Sequence, residues 1–255
     1  MTTTSELKGQ TVLITGGRRV GAELALELAE RGAKVAMTYR SSRQTIEETI
    51  AAIRERGGQG LALAADLSDP AQAARAVEET VQTLGGLDAL VNMASAFRRT
   101  PFHDLTSGDF DDMIAANLAA PYHAAVAAAR AMLEHYRIDG YQRKIVNIGD
   151  WASERPYKDY LPYLIAKGGL ATMTLALARE LAPAVAVSMV QPAMIDPPPE
   201  FSEQDKLAVL KQTPLERFGS AADVNRLVLY LLEGTHFVTG ACFRVDGGRF
   251  LGADG

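Results

Sequence analysis

The sequence predicts an α/β fold: a three-layer, doubly wound parallel sheet of about seven strands with helices on both faces, forming a single domain over residues 1-255. Three observations predict it. Short apolar runs alternate with longer runs of helical spacing along nearly the whole chain, the signature of repeated βαβ units with right-handed crossovers. A glycine-bearing turn, Thr15-Gly-Gly-Arg-Arg-Val-Gly21, falls where the first apolar run gives way to the first helical one. The composition is 47% hydrophobic but only 7% aromatic, so the apolar mass is largely small aliphatic residues suited to helices packed closely on a sheet.

Each element has its own warrant. Thr11 to Thr15 is an unbroken apolar run bounded by threonines and reads as a buried strand. Ala22 to Arg31 repeats alanine and leucine at helical spacing and ends at Gly32. Lys34 to Tyr39 is the second strand. Thr45 to Arg56 is helical and stops at Gly57-Gly58. Leu61 to Ala65 is the third strand. Asp69-Pro70 pairs an N-cap with a proline at the first helical position and opens a helix to Leu84. Leu87 to Val91 is the fourth strand, and helices run from about Asp109 across Ala115 to Tyr136. Lys144 to Ile148 is the fifth strand, Leu161 to Leu181 a helix, and Ala184 to Val190 the sixth strand. A proline-rich loop, Gln191 to Pro199, leads to a polar helical flap, Glu200 to Lys211, and the stretch from Ala193 to Pro214 is expected to cover the substrate. Ala221 to Leu232 is a helix and Ala241 to Val245 the last strand. No linker, internal repeat or low-complexity block divides the chain.

Composition narrows the function. Twenty-six basic residues against 31 acidic ones give a net charge of −5, which offers no electrostatic case for a nucleic-acid partner. One cysteine, Cys242, permits neither an intramolecular disulfide nor a cysteine zinc cluster; it reads as a small hydrophobe in the last strand, and no metal is expected. No apolar run is expected to reach the roughly 20 residues that span a bilayer. The polar start, Met1 to Gln10, has no apolar signal region. The expectation is a cytoplasmic protein with a small-molecule substrate and no membrane partner.

The chemistry centres on Tyr163-Leu-Ile-Ala-Lys167. Spaced four apart on a helix, the two side chains share one face. A nearby ammonium favours the phenolate and pulls the tyrosine pKa down from about 10, toward a useful proton donor. Alone, the pair is an ordinary aromatic and an ordinary base on a helix. Context changes that. The turn holding Gly16, Arg18, Arg19, Val20 and Gly21 follows a buried strand and opens a helix, where backbone amides and the helix dipole hold a pyrophosphate. At the end of the second strand an acid would select NAD; the sequence has Tyr39-Arg40-Ser41-Ser42 instead. A guanidinium and hydroxyls there suit the 2′-phosphate of NADPH/NADP+ in preference to NADH.

These motifs together resemble the short-chain dehydrogenase/reductase family along nearly the whole chain: Thr15-Gly16…Gly21, Asp66-Leu67 after the third strand, Asn92-Met-Ala-Ser95 after the fourth, Asn117 in a helix, Tyr163…Lys167 and the Pro192 loop. The resemblance implies a Rossmann-type sheet with NADP(H) across the strand C-termini. Asp66 would meet the adenine, Asn92 and Ala94 would line the cofactor, and the Ile195 backbone would meet the carboxamide. Lys167 would also hold the nicotinamide ribose, and Asn117 would organise a water near it. It further implies a homotetramer, or a homodimer, built on the helices from Ala115 and from Leu161.

Three departures sharpen the resemblance. The phosphate turn is one residue short and carries Arg19-Val20 in place of its middle glycine. The segment after the fourth strand reads Asn92-Met93-Ala94-Ser95-Ala96-Phe97. The serine usually found thirteen residues before the tyrosine is Asp150. An ionised aspartate cannot donate to a carbonyl oxygen; it repels an oxyanion, raises the tyrosine pKa, and suits a substrate with N–H donors. The combination is similar to the pteridine reductase branch of the family. That likeness implies a relay of Asp150, Tyr163 and Lys167, Phe97 stacked on a planar ring, and Ser95 at the ring edge. It implies NADPH-dependent hydride transfer to a C=N bond of a pterin-like substrate. Reduction of a 3-oxoacyl, sugar or ketone carbonyl, the reverse alcohol oxidation and a non-catalytic dinucleotide-binding module are the alternatives.

Overall fold

The computed structural model describes residues 7–139, 141–197 and 201–252. Among these residues seven parallel strands form one sheet in the order β3-β2-β1-β4-β5-β6-β7. The strands are β1 Thr11–Thr15, β2 Lys34–Tyr39, β3 Gly60–Ala64, β4 Ala89–Asn92, β5 Arg143–Ile148, β6 Val185–Pro192 and β7 Ala241–Val245. The order reverses between β1 and β4, and there the strand ends leave the crevice in which doubly wound sheets bind ligands.

Both faces of the sheet are apolar, which is why its strands read as unbroken hydrophobic runs rather than alternating ones. Leu13, Ala36, Leu90, Ile145 and Val187 face one layer, made by α3 Pro70–Leu84, α5 Ala120–Asp139 and α6 Leu161–Leu181. Val12, Ile14, Met37, Val91 and Val146 face the other, made by α1 Val20–Glu30, α2 Arg43–Glu55 and α8 Ala221–Glu233. The three-layer architecture is the predicted one.

Boundaries move where local chemistry outweighs periodicity. The first helix begins at Val20, two residues before the predicted Ala22, so Val20 and Gly21 are its first turn. The predicted helices from Asp109 to Tyr136 resolve into α4 Ser107–Ile114, opened by a reciprocal Thr106–Asp109 capping box, a π segment Ala115–Ala119, and α5. Gln191 and Pro192, assigned from sequence to a loop, complete β6 and pair with Arg244 and Val245. The flap is α7 Glu203–Lys211, with its own capping box on Ser202 and Asp205; the predicted stretch from Pro198 to Glu200 lies outside the described residues, as does Met1 to Glu6 of the polar start. Cys242 is half-buried on β7 and packs at the edge of the first core.

One expectation fails. Helix α6 is 21 residues long and is apolar enough, by length and composition, to cross a membrane. In this fold it is a layer helix: Ala166, Leu170, Met173 and Ala178 are buried against the sheet and neighbouring helices, and three charged residues, Lys167, Arg179 and Glu180, break up its apolar run.

Candidate active site

The site residues stand on loops leaving the C-terminal ends of β1, β2, β4, β5 and β6, joined by the first turns of α6. Pro162 sits in the opening turn of α6, where its missing N–H costs no helix bond. Tyr163 and Lys167 follow one turn apart and are almost fully buried, 5% and 2% exposed. Asp150 leaves β5 and caps the short turn Trp151–Ser153, its Oδ1 accepting from the Ala152 N–H at 2.8 Å. Its other oxygen, Oδ2, accepts the Tyr163 hydroxyl at 2.7 Å. The Lys167 ammonium donates to the Ile148 carbonyl at 2.9 Å and lies 5.8 Å from the Tyr163 ring centre. Asp150, Tyr163 and Lys167 are thus brought together as predicted.

Their charges follow the expectation for Asp150 and not the one for Lys167. Burial raises the Tyr163 pKa well above that of a free phenol, and the adjacent Asp150 raises it further. The lowering expected from Lys167 does not prevail against these: its ammonium donates to the Ile148 carbonyl, and burial draws Lys167 itself down to about 8. Burial also raises Asp150 above the usual carboxylate range, although the Tyr163 hydroxyl, the Ala152 N–H, Lys167 and Arg249 all oppose the shift. Tyr163 is a firmly held proton, not an acidified phenol.

Above the triad is a cleft of about 760 Å3 with Phe97, Trp151, Tyr157, Tyr160 and Phe201 in its walls, a size that encloses a drug-sized ring compound. Phe97 is 55% exposed, stacks on Tyr160 at 4.6 Å and meets Tyr163 edge-on at 5.0 Å. Ser95 lies elsewhere, along the neighbouring groove, and donates to Asn117 Oδ1 at 2.7 Å. Asn117 spends its whole amide on this loop and its own helix: Oδ1 also accepts from the Ala96 N–H, and Nδ2 donates to the carbonyls of Ala96 and Met113. Its side chain therefore holds the β4 loop to the π segment and is not free to hold a water near Lys167.

The neighbouring groove runs from the glycine turn to the end of β2 and is lined by Gly16, Arg18, Arg40, Ser41, Asp66 and Ala94, among others. Its backbone fits a dinucleotide. Gly16 and Gly17 have φ of 62° and 85°. A Cβ on Gly17 would sit 2.9 Å from the Gly21 Cα and from the Met93 sulfur, and one on Gly16 3.0 Å from Ala94; only glycine leaves this floor open. The first turn of α1, starting at Val20, has no side-chain cap; the Ala22 N–H is spent on the Gly17 carbonyl, which leaves those of Val20 and Gly21 for a phosphate. Thr15 Oγ1 accepts from the Met93 and Ala94 N–H groups at 3.0 and 3.2 Å, fixing the two loops relative to each other. Arg40 is exposed and 3.5 Å from Asp66, whose carboxylate also accepts from Ser68, lowering its pKa. No acid stands at the end of β2. The residues fit a dinucleotide whose ribose carries a 2′-phosphate.

Several assigned residues sit differently from expectation. Asn92 is buried beneath the groove and does not line it; its Nδ2 donates to Asn147 Oδ1 and the Pro121 carbonyl, tying β4 to β5 and α5. Leu67 is mostly core, with only its edge at the groove. The Ile195 carbonyl accepts from Arg19 Nη2 at 3.0 Å, with Asp196 3.6 Å from the same guanidinium, so Arg19 bridges the phosphate turn to the β6 loop. Sequence reasoning missed Thr15 as a loop tie and Arg249 as a member of the cleft. The available signal for Arg249 was its place immediately after a glycine pair ending the last parallel strand, the edge where such sheets bind ligands.

Comparison with known proteins agrees with this geometry. The family model described as Enoyl-(Acyl carrier protein) reductase matches residues 16–249. The chain is 30% identical over 249 residues to the 3-oxoacyl-[acyl-carrier-protein] reductase FabG of Staphylococcus aureus, covering 95% of this chain and 98% of that protein. Among solved structures it is similar to the short-chain dehydrogenase/reductase of Serratia marcescens, with TM-score 0.87, 33% identity, and 96% and 99% of the two chains covered. A short chain dehydrogenase from Burkholderia cenocepacia, solved in complex with NADP, gives TM-score 0.86 and 32% identity over 95% and 98% of the chains.

Proposed function

The chain belongs to the short-chain dehydrogenase/reductase family and is an oxidoreductase of that kind, and from that premise we propose that it is an NADPH-dependent reductase acting on the C=N bond of a planar nitrogen heterocycle, of the dihydropterin type. The observation that carries the reading is the Tyr163–Asp150 contact: the position that holds a hydroxyl donor in the family pattern holds a buried carboxyl acceptor, bonded to the tyrosine.

When bound, the reduced nicotinamide supplies the hydride. The residues do the rest. The aromatic walls of the cleft receive a flat ring, with Phe97 exposed enough to stack on it. Asp150, as carboxylate, accepts an N–H of the ring and orients it. Tyr163 gives its proton to the ring nitrogen as the neighbouring carbon takes the hydride, so one C=N becomes CH–NH. With the hydride on carbon the nitrogen carries the negative charge of an amide anion, which is more basic than a phenolate, so even a tyrosine with a raised pKa yields its proton there. Lys167, charged below a pH of about 8, offsets the charge left on Tyr163. Arg40 and Ser41 receive the 2′-phosphate, and Gly16, Gly17 and the first turn of α1 receive the pyrophosphate.

A second reading, reduction of a carbonyl, is favoured by the names of relatives such as the S. aureus 3-oxoacyl reductase. A protonated Asp150 would serve it by donating to the carbonyl oxygen. NADPH oxidation, followed with dihydropterins beside a panel of 3-oxoacyl thioesters, ketones and aldehydes, separates the two. Turnover of the dihydropterins alone supports the first reading, and turnover of the carbonyl panel alone replaces it with the second.

Assembly belongs to the same proposal. Tyr122 on α5, and Leu161, Ile165 and Leu175 on α6, are each about half exposed, apolar surface that a homotetramer or homodimer would cover. Light scattering of the purified protein tests it, and a monomer at micromolar concentration contradicts it.

A further inference from the structure

The cleft contains a charged group that the reaction above leaves without work. Arg249 follows the turn Asp246-Gly247-Gly248, which is built to aim it. The Asp246 carboxylate accepts from the N–H groups of Gly248 and Phe250 at 3.0 and 2.8 Å. Gly247 and Gly248 have φ of 62° and 84°, and a Cβ on Gly248 would crowd Pro214 at 3.0 Å, so the chain can double back here only with glycine. The guanidinium carbon of Arg249 then lies 5.3 Å from the centre of the Trp151 ring, inside the cation–π range.

Its hydrogen-bonding capacity is largely unspent. Nη2 reaches Gln212 Oε1 only at 3.5 Å, the far limit of a hydrogen bond. Nε is buried and has no partner among the described residues. Asp150 and Tyr157 are the titratable groups facing it, and the hydrogen bonds of Asp150 go to Tyr163 and Ala152 rather than to Arg249. Of the other cations in this wall, Arg19 is engaged by Ile195 and Asp196, and Arg18 extends into the nucleotide groove. A half-buried guanidinium with idle donors, remote from the cofactor groove, is matched by a planar anion that takes two parallel N–H bonds.

We propose that Arg249 determines substrate specificity by holding a carboxylate: the cleft takes planar ring compounds with a carboxylate-bearing substituent, the ring against Phe97 and the carboxylate on the Arg249 fork. This rests on reading the cleft as the reductase site, and it adds a requirement that the triad does not impose.

Trp151 is the only tryptophan in the sequence and carries Arg249 on its face, so its fluorescence reports on this contact. Dissociation constants are measured by Trp151 quenching, with NADP+ present, for dihydrofolate, for a 6-methyl dihydropterin lacking any carboxylate, and for benzoate. The wild type should bind dihydrofolate at least about 10-fold more tightly than the methyl compound, the scale of a charge-assisted pair. Arg249→Gln should erase that difference and leave the methyl dihydropterin unchanged, while Arg249→Lys should restore part of it. If neither pterin binds but benzoate does, and only with Arg249 present, the heterocycle reading fails and the carboxylate site stands. An equal loss for both pterins in Arg249→Gln, as expected if Arg249 only balances Asp150, overturns the proposal, as does the absence of any carboxylate preference in the wild type.

Discussion

The nucleotide groove and the substrate cleft meet at Arg18, yet they are built from different materials. The groove is backbone: two glycines in left-handed conformation, an uncapped helix start, and a threonine tying two loops. Side chains enter it mainly at the β2 end, through Arg40 and Ser41. The cleft is side chain: five aromatic rings around the buried Asp150 carboxyl, the Tyr163 phenol and the Arg249 guanidinium, with Arg18 and Arg19 in the same wall. A backbone site recognises what every dinucleotide has, whereas a side-chain site recognises what one substrate has. The two regions should therefore respond to substitution in separate ways.

The largest separation is expected from Tyr163→Phe. Removing the proton donor should lower kcat by about 1,000-fold, within the range for a general acid, while the NADPH dissociation constant, measured by nucleotide fluorescence, stays within a few-fold. Comparable losses in both would mean that the cleft and the groove are one site energetically. The converse experiment is Arg40→Ala, which should weaken NADPH by about 10- to 100-fold through loss of a charge-assisted contact and leave NADH unchanged. An equal effect on the two cofactors would remove Arg40 from the 2′-phosphate. Smaller and purely structural is Gly17→Ala, whose Cβ meets backbone at Gly21 and whose φ is 85°. It should cost about 1–3 kcal/mol, lowering Tm by several degrees and weakening NADPH without changing substrate selectivity.

The smallest effect is a pH dependence confined to the cleft. Lys167 titrates at about 8 when folded, below its ordinary value of 10.5. A lysine shifted down is charged in both states below 8, where its burial penalty is fully present. Between 8 and 10.5 the unfolded chain holds the extra proton, so stability should rise as pH increases through that window. Activity should move the opposite way, falling above a pH of about 8 as the ammonium is lost, and a Lys167→Met variant should show neither trend.

How much of this was legible in the sequence follows the same division. The strands, the glycine turn and the basic end of β2 could be read because each depends on local rules: unbroken apolar runs, φ-permissive glycine, a guanidinium where an acid would select NAD. The Asp150–Tyr163–Lys167 grouping was legible from spacing. Its charge state was not, because it depends on burial and on where the Lys167 ammonium points, which the β5 carbonyl of Ile148 decides. Asn92 and Asn117 were readable as site-adjacent but not as ties, since their partners, Asn147 and the Ser95 loop, are distant in sequence. Arg249 was hidden for the same reason: Trp151 and Asp150, which it faces, are distant from it in sequence. The long α6 was judged by its charges, and one of those, Lys167, is buried because the site needs it there.

The central claim is that a buried carboxyl, rather than a hydroxyl donor, partners the catalytic tyrosine and selects a nitrogen substrate. Asp150→Ser, assayed by NADPH oxidation on a dihydropterin and on a ketone in the same preparation, tests it most directly. The expected result is a fall of about 10-fold or more in kcat/KM for the dihydropterin, the scale of one lost charge-assisted hydrogen bond, with a gain for the ketone. Unchanged dihydropterin turnover in the serine variant would contradict it.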